Sequence, residues 1–327
     1  MTTSVVHRIS VVIPVYRGEK SLPGLIEEIT PLTSAQATPR GDHRYVVSEV
    51  VLVHDCGPDR SDRTIEELCA RYPFVRPVWL SRNYGQHAAT LAGMASATGD
   101  WVVTIDEDGQ QDPMDIGCFL ENALENCCQL VYARPTNAPP HGWFRNSASR
   151  ITKKISTRIL GNDKVGRFNS FRLVEGEVAR TLAAYCSHGV YLDVGLFWIT
   201  ESIGYCPVKL RNEVDRTSGY SFIKLIRHFW NLILTTGVRP LRLITVVGLI
   251  SVVLSVLISA YAIYGKFFGG TSVQGWTSIF IIVAFFSGCI LAALGIIAEY
   301  MAVTMGIVMG KPLYAVSTKP TRRAIYK

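Results

Sequence analysis

Trp101-Val102-Val103-Thr104-Ile105-Asp106-Glu107-Asp108-Gly109-Gln110 is a short apolar run that breaks into an acidic turn. Five β-branched and aromatic residues in a row read as a strand buried on both faces, and the glycine among acidic residues marks its end. Just upstream, residues 86–98 are helix-length and rich in Ala and Gly, which suits close packing on a sheet. Downstream, residues 113–127 form another helix-length amphipathic stretch. The alternation continues outward: residues 9–14 (ISVVIP), 46–54, 75–80 and 129–132 read as buried strands, and residues 22–32 and 62–72 as helices between them. Such alternation predicts an α/β fold with a mostly parallel sheet and helices on both faces. Ligands of these sheets bind beyond the carboxyl ends of the strands, so the informative residues are those after each strand: 14–19, 54–59 and 106–110. No G-x-G-x-x-G follows the first strand and no G-x-x-x-x-G-K-[ST] occurs anywhere, which disfavours a dinucleotide dehydrogenase and a P-loop NTPase.

Asp106, Asp108 and Gln110 lie two apart, a spacing that in an extended segment puts three oxygen-bearing side chains on one side. Hard oxygen ligands suit Mg²⁺ or Mn²⁺, and a cation held by one or two carboxylates keeps positions open for diphosphate oxygens. The plain alternative is a solvated acidic turn. A strand in front and Asp55 at the end of a neighbouring strand favour a nucleotide-diphosphate site.

Of the 327 residues, 48% are hydrophobic and 18% charged, with a mean hydropathy of +0.22. That excludes disorder and points to a membrane. The net charge of +7 would by itself allow a nucleic-acid binder, but its distribution does not. Residues 1–208 carry 20 Lys/Arg against 23 Asp/Glu, residues 209–242 carry 7 against 2, residues 243–298 only Lys266, and residues 299–327 carry 5 against 1. The positive excess brackets an almost uncharged block, so no nucleic-acid partner is expected. Residues 243–265 and 276–298 are each 23 residues without a charge, long enough to cross ~30 Å of hydrocarbon as helices. Tyr261, Tyr264, Trp276 and Tyr300 lie near their ends, and Arg239, Arg242 and the basic residues from Lys311 onward place both termini on the cytoplasmic side. Residues 221–234 (SFIKLIRHFWNLIL) set Phe222, Leu225, Ile226, Phe229 and Ile233 on one stripe, the pattern of an interfacial helix. Residues 1–10 have no apolar core of a signal peptide, and the eight cysteines show no zinc spacing; in the cytosol they read as small buried hydrophobes.

The ordered set Ile13-Pro14-Val15-Tyr16, Val53-His54-Asp55, Ser81-Arg82-Asn83-Tyr84-Gly85-Gln86, Ala97-Thr98-Gly99-Asp100 and Ile105–Gln110 resembles the family-2, GT-A-fold glycosyltransferases. More narrowly it resembles the polyprenyl-phosphate branch, which includes dolichol-phosphate mannose synthase and the bacterial undecaprenyl-phosphate glucosyl and aminoarabinosyl transferases. The two C-terminal spans, Ala298-Glu299-Tyr300 and Gly310-Lys311-Pro312-Leu313-Tyr314 extend the likeness over nearly the whole chain. The resemblance implies a Rossmann-like GT-A cytosolic domain over residues 1–220, an interfacial helix over 221–240, two transmembrane helices within 241–300 and a basic tail over 301–327. It implies that Pro14, Tyr16, Glu19 and Asp55 line the nucleotide pocket, and that Asp106, Asp108 and Gln110 hold the metal and diphosphate. Arg17-Gly18 stands where Asn-Glu is usual, His54 where Asp or Asn is usual, and Cys56-Gly57 where Gly-Ser is usual.

A lipid phosphate needs cationic forks, and Arg suits bidentate phosphate contact. Residues 145–167 hold seven Lys/Arg and one Asp, with Arg145 and Ser149 on one helical face. By resemblance Arg134, Arg145, Ser149 and Arg216 meet the acceptor phosphate, with Arg211 a rival for the last role. Arg172 is a weaker candidate that could equally pair with Glu175 or Glu177. The activity implied is inverting transfer of a sugar from a nucleotide-diphosphate donor, UDP preferred over GDP, to undecaprenyl phosphate at the bacterial inner membrane. A homo-oligomer and a downstream multi-span flippase and glycosyltransferase are the expected partners. The rivals are a processive polysaccharide synthase, disfavoured by the lack of a Q-x-x-R-W element, and a catalytically silent membrane-anchored scaffold.

Overall fold

The computed structural model describes residues 5–137, 168–186, 190–211 and 275–319, with Gly248, Ile250, Val253, Leu257 and Tyr264. The described residues fall into two compact units, one built on a sheet and one helical. In chain order the sheet unit comprises β1 (Val6–Val15), α1 (Leu22–Ile29), β2 (Gln36–Ala37), β3 (Arg44–His54), α2 (Ser61–Arg71), β4 (Val75–Leu80), α3 (Gln86–Ser96), β5 (Trp101–Thr104), α4 (Ile116–Glu125), β6 (Leu130–Pro135), β7 (Arg172–Glu175), α5 (Gly176–Tyr185), α6 (Leu192–Ile199), β8 (Ile203–Val208) and β9 (Val316–Ser317); the helical unit contains α7 (Trp276–Val308).

Strand order is β8-β6-β7-β5-β1-β3-β4-β9, with β2 on β3. The centre, β5-β1-β3-β4, is parallel as the alternation predicts. The sheet as a whole is mixed, because β7 enters antiparallel between β5 and β6, and β9 closes the other edge antiparallel to β4. A four-residue strand after a long connection has no periodicity of its own to announce it.

Period-2 alternation puts the two faces of each strand into separate cores. Ile9, Val11, Ile13 and Val15 of β1 join α1, α2 and α4, while Val12 joins α3, α5 and α6 on the other face. Helix α3 lies very close to the sheet: a Cβ on Gly93 would sit 2.2 Å from Val12 Cγ1, so the small residues of this helix set its distance. At the end of the strands away from the acidic turn, Glu49 accepts hydrogen bonds from Ser10 Oγ (2.6 Å), Thr98 N (2.7 Å), Thr98 Oγ1 (2.8 Å) and Arg76 Nε (2.5 Å). Burial alone would raise its pKa, but Arg76 and the other donors outweigh it and hold it at about 2. The Ala97–Asp100 motif is therefore a buckle between β1, β3 and β4.

Helix α7 has 33 residues, and its stretch Phe285–Val308 has a mean hydropathy of 1.9, with none of its described residues buried. By length and composition it can cross a membrane. It runs ten residues beyond the predicted end at 298, to Val308, and Gly310 just after it has a φ of +64° that permits the closing bond from Lys311 N to the Gly306 carbonyl (3.0 Å). Most of the first predicted span and all of the predicted interfacial helix lie outside the described residues; Gly248, Ile250, Val253, Leu257 and Tyr264 are helical and exposed. Where a basic tail is expected from 301, residues 301–308 instead complete α7, and Val316 and Ser317 pair with Leu80 and Trp79 at the sheet edge.

Candidate active site

A cleft of about 380 Å³ opens at the carboxyl ends of β1, β3 and β5, where Pro14, Val15, Tyr16, Asp55, Glu107 and the Asp106–Asp108 pair meet Asn83, Gly85, Gln86 and Ala89 at the start of α3. Three short connections build it. The one after β1 crosses the one after β3 so closely that a Cβ on Gly57 would fall 1.6 Å from the Tyr16 carbonyl oxygen, so only glycine fits there. The same crossing is tied by Asp55 N donating to the Val15 carbonyl (2.8 Å).

Asp55 is buried, and its two oxygens accept from Tyr84 N (2.7 Å) and Gly85 N (2.8 Å). It thereby holds residues 81–86 against the cleft. Burial raises its pKa to about 6, against the pull of those two backbone donors. The far side of this loop is fastened by the chain's end: Ser81 N donates to the Ala315 carbonyl (2.9 Å), and the Ser81 and Tyr84 hydroxyls are 3.0 Å apart.

Asp106 is held on both oxygens. Oδ1 accepts from Gln86 Nε2 (2.6 Å); Oδ2 accepts from Gln111 Nε2 (3.0 Å) and from the Ser170 hydroxyl. Burial and the neighbouring Asp108 carboxylate push its pKa up, in the face of the Ser170 and Gln111 donors and the Arg172 charge. The segment from Asp106 to Gln110 is a turn, which corrects the expectation of an extended segment. Gly109, at φ +73°, reverses the chain, and Asp108 Oδ1 caps Gln110 N at 3.1 Å. The middle residue, Glu107, faces the connection after β1, accepting from Tyr16 N (2.9 Å) and from Arg17 N on both oxygens (3.0 and 3.1 Å).

Residues 10–182 match the profile of a family described as Glycosyl transferase family 2. The chain belongs to that family. Its relatives include an undecaprenyl-phosphate 4-deoxy-4-formamido-L-arabinose transferase of Proteus mirabilis, 29% identical over 94% of this chain and 93% of the relative. Another is an SfII prophage-derived bactoprenol glucosyl transferase of Shigella flexneri, 24% identical over 94% of this chain and 97% of the relative. Among solved structures, a mycobacterial protein aligns with a TM-score of 0.50 at 18% identity, over 71% of this chain and 74% of that one, a likeness of fold alone.

In this family-2 glycosyltransferase Pro14, Tyr16, Asp55, Asp106 and Asp108 come together in the cleft. Glu19 does not line it: its carboxylate accepts from Arg60 N (3.1 Å) and its own N–H donates to Asp59 (3.2 Å), tying the connection after β1 to the start of α2. Gln110 does not line it either; it is half-buried, and its carbonyl accepts from Arg211 N (2.9 Å). Arg134 is exposed near the carboxyl end of β6 and is not among the residues that line the cleft. Arg211 is gripped by Glu28 (2.6 Å) and Asp112 (2.7 Å), which gives it a structural partnership of its own. Arg172 pairs with Asp193, not with Glu175 or Glu177. Arg145, Ser149 and Arg216 lie outside the described residues. The side chains that sequence reading passes over, Glu107, Gln111 and Ser170, all act on the backbone or carboxylates of the cleft; only the polar run Asp106–Gln111 hints at two of them.

The raised pKa of Asp55 carries a sign. Protonation leaves one oxygen facing an N–H as a donor, so donor affinity is expected to fall as pH drops through about 6. Stability moves the other way: the folded pKa lies above the ordinary 3.8, so Asp55 favours the folded state most below that value, and this is lost as pH rises through about 6. Titrating UDP with Mn²⁺ at pH 5 and 7.5 checks the first statement. Asp55→Asn is expected to bind weakly at both values, having lost the step that wild type shows.

Proposed function

We propose that this transferase moves a sugar from a nucleotide-diphosphate donor to polyprenyl phosphate at the bacterial inner membrane, with inversion. The observation that carries the reading is the Asp106–Asp108 pair at the carboxyl ends of the parallel strands, inside a cleft walled by Pro14–Tyr16 and the Asp55-held loop. Among the described residues no group of three or more His, Cys, Asp or Glu is arranged to hold a metal ion by itself. Two carboxylates that repel each other, with only oxygen donors, fit Mg²⁺ or Mn²⁺ whose remaining positions are left for diphosphate and water. Asp106 and Asp108 would hold that cation, which when bound neutralises charge on the leaving diphosphate.

The protein's own part is positioning. Gln86, Gln111 and Ser170 fix the Asp106 carboxylate, and Asp55 fixes the wall opposite. The acceptor is a phosphate monoester with a second pKa of roughly 6, already largely anionic near neutral pH, so the site needs no strong general base. Support for the lipid acceptor comes from the relatives matched over nearly their full length and from the apolar helix α7. A second span at 243–265, an interfacial helix at 221–240, both termini in the cytoplasm, homo-oligomerisation, and acceptor contacts from Arg134, Arg145, Ser149 and Arg216 belong to the same reading. A UDP-sugar is the preferred donor, since Ser81–Gln86 resembles the bacterial UDP-sugar members. The test incubates membranes holding the protein with labelled UDP- and GDP-sugars, undecaprenyl phosphate, and Mg²⁺ or Mn²⁺. An organic-extractable, acid-labile product is expected; no transfer from any donor by inserted protein would overturn the reading.

A further inference from the structure

The connection after β1 presents four consecutive backbone N–H groups, and every one is taken by a side chain from elsewhere. Gly18 N donates to Ser61 Oγ (2.8 Å) and Glu19 N to Asp59 Oδ2 (3.2 Å), both at the start of α2. Tyr16 N and Arg17 N both donate to Glu107. The α2 pair anchors the outer half of the connection to its own neighbour in the fold. Glu107 alone crosses to the acidic turn.

We infer that Glu107 is a positioning residue: its carboxylate locks the Pro14–Tyr16 wall of the cleft to the Asp106–Asp108 turn and so sets the distance between the two ends of a bound nucleoside diphosphate. The inference rests on the proposed nucleotide-sugar function. Three observations support it. Glu107 is flanked on both sides by carboxylates, a repulsive placement for a third acid, yet its oxygens are spent on two adjacent N–H donors. A carboxylate accepting from successive main-chain N–H groups is a strong, charge-assisted arrangement. Both of its donors, Tyr16 N and Arg17 N, belong to the connection after β1, so its carboxylate stands between the two connections. Finally, the space beside it is reserved: a Cβ on Gly18 would lie 2.9 Å from Glu107 Oε2 and 2.8 Å from Leu22 Cγ, so the glycine makes room for the carboxylate.

Of the other acids at the cleft, Asp55 acts on the 81–86 loop and Asp106 on α3 and Ser170, whereas Glu107 acts on the connection after β1. Loss of Glu107 therefore leaves each connection folded and lets the two drift relative to one another. The signature is weaker binding of a molecule that touches both, with little change in a chemical step governed by Asp106 and Asp108.

The experiment uses the full-length protein in detergent and titrates it with UDP and with GDP in saturating Mn²⁺, alongside donor kinetics and thermal melting. Glu107→Ala is expected to weaken nucleoside diphosphate binding about tenfold or more and raise donor KM likewise, with kcat within about threefold and Tm little changed. Glu107→Gln, which keeps one acceptor oxygen, should fall between the two. Gly18→Ala crowds the same carboxylate from the other side and should shift KM in the same direction. If wild type binds UDP or GDP and Glu107→Ala binds it equally well, the inference is overturned and the nucleotide reading stands. A collapse of kcat with unchanged affinity also overturns it, by making Glu107 part of the cation site. If wild type binds neither nucleotide, the functional reading fails and the inference with it.

Discussion

Asp108→Asn is expected to lower sugar transfer by at least about 10³-fold while the protein still folds and inserts. The side chain does two things that the substitution separates. Its Oδ1 caps Gln110 N at 3.1 Å and so shapes the turn, and an asparagine oxygen can do the same. Its negative charge faces the cleft beside Asp106, and asparagine lacks it. Charge stabilisation by a bound cation supplies several kcal/mol to a displacement of this type, and each ~1.4 kcal/mol is a factor of ten. The check is the yield of extractable lipid-linked sugar from membranes matched for protein content, with thermal melting beside it. Near wild-type yield would remove Asp108 from the cation site, whereas a large fall in Tm would show that the turn, not the charge, was lost.

The second large effect is on stability. Arg172 on β7 and Asp193 on α6 form an ion pair with both side chains only 4% exposed, and the Tyr132 hydroxyl donates to the same Asp193 oxygen at 2.8 Å. Arg172 also donates to the Thr104 hydroxyl at 3.2 Å. Asp193→Ala strands a buried guanidinium and a buried phenol, and breaking such a pair costs about 3–5 kcal/mol. A unit of this size should lose roughly 10 °C in Tm. The double substitution Arg172→Met with Asp193→Leu removes both charges and should recover most of the loss, because a desolvated pair gains little over apolar packing. A single variant that melts within 2 °C of wild type would mean the pair contributes far less than its burial implies. The effect should reach the cleft as well, since the Ser170 hydroxyl that holds Asp106 lies two residues from Arg172.

The first half of the sheet unit is legible in the sequence because it is built from consecutive pieces. Strands β1, β3, β4 and β5 and helices α1 to α4 each carry their own period, and each lies within a few residues of where the pattern puts it. Helix α7 is legible for a similar reason, since an uncharged stretch of membrane length has few other uses. Its true end was not, because the helix formers continue past Glu299 and a single glycine of positive φ decides where they stop. Strands β7, β8 and β9 were not legible. They are short, and β9 meets its partner β4 from the far end of the chain, so its pairing is a fact of tertiary structure only.

The site divides along the same line. The residue types are in the sequence: a D-x-D after a buried strand, an aspartate after its neighbour, and the ordered motifs of a family that the profile match then shows. What each carboxylate does is not, because a side chain's direction depends on the turn that carries it and on the donors that surround it. Along the chain, the two-residue spacing picks out Asp106, Asp108 and Gln110 for the metal and diphosphate and passes over Glu107, and the resemblance puts Glu19 and Asp55 in the nucleotide pocket. In the fold, Gly109 turns the acidic run back on itself and sends Glu107 to the backbone of another connection. Asp55 becomes a clasp on a loop, Glu19 a tie to α2, and Gln110 a residue outside the cleft. Local sequence determines which segments become strands and helices, since period and burial act over a few residues. Only the packed structure assigns each charge a partner, since buried polar groups must find donors or acceptors wherever the fold has placed them.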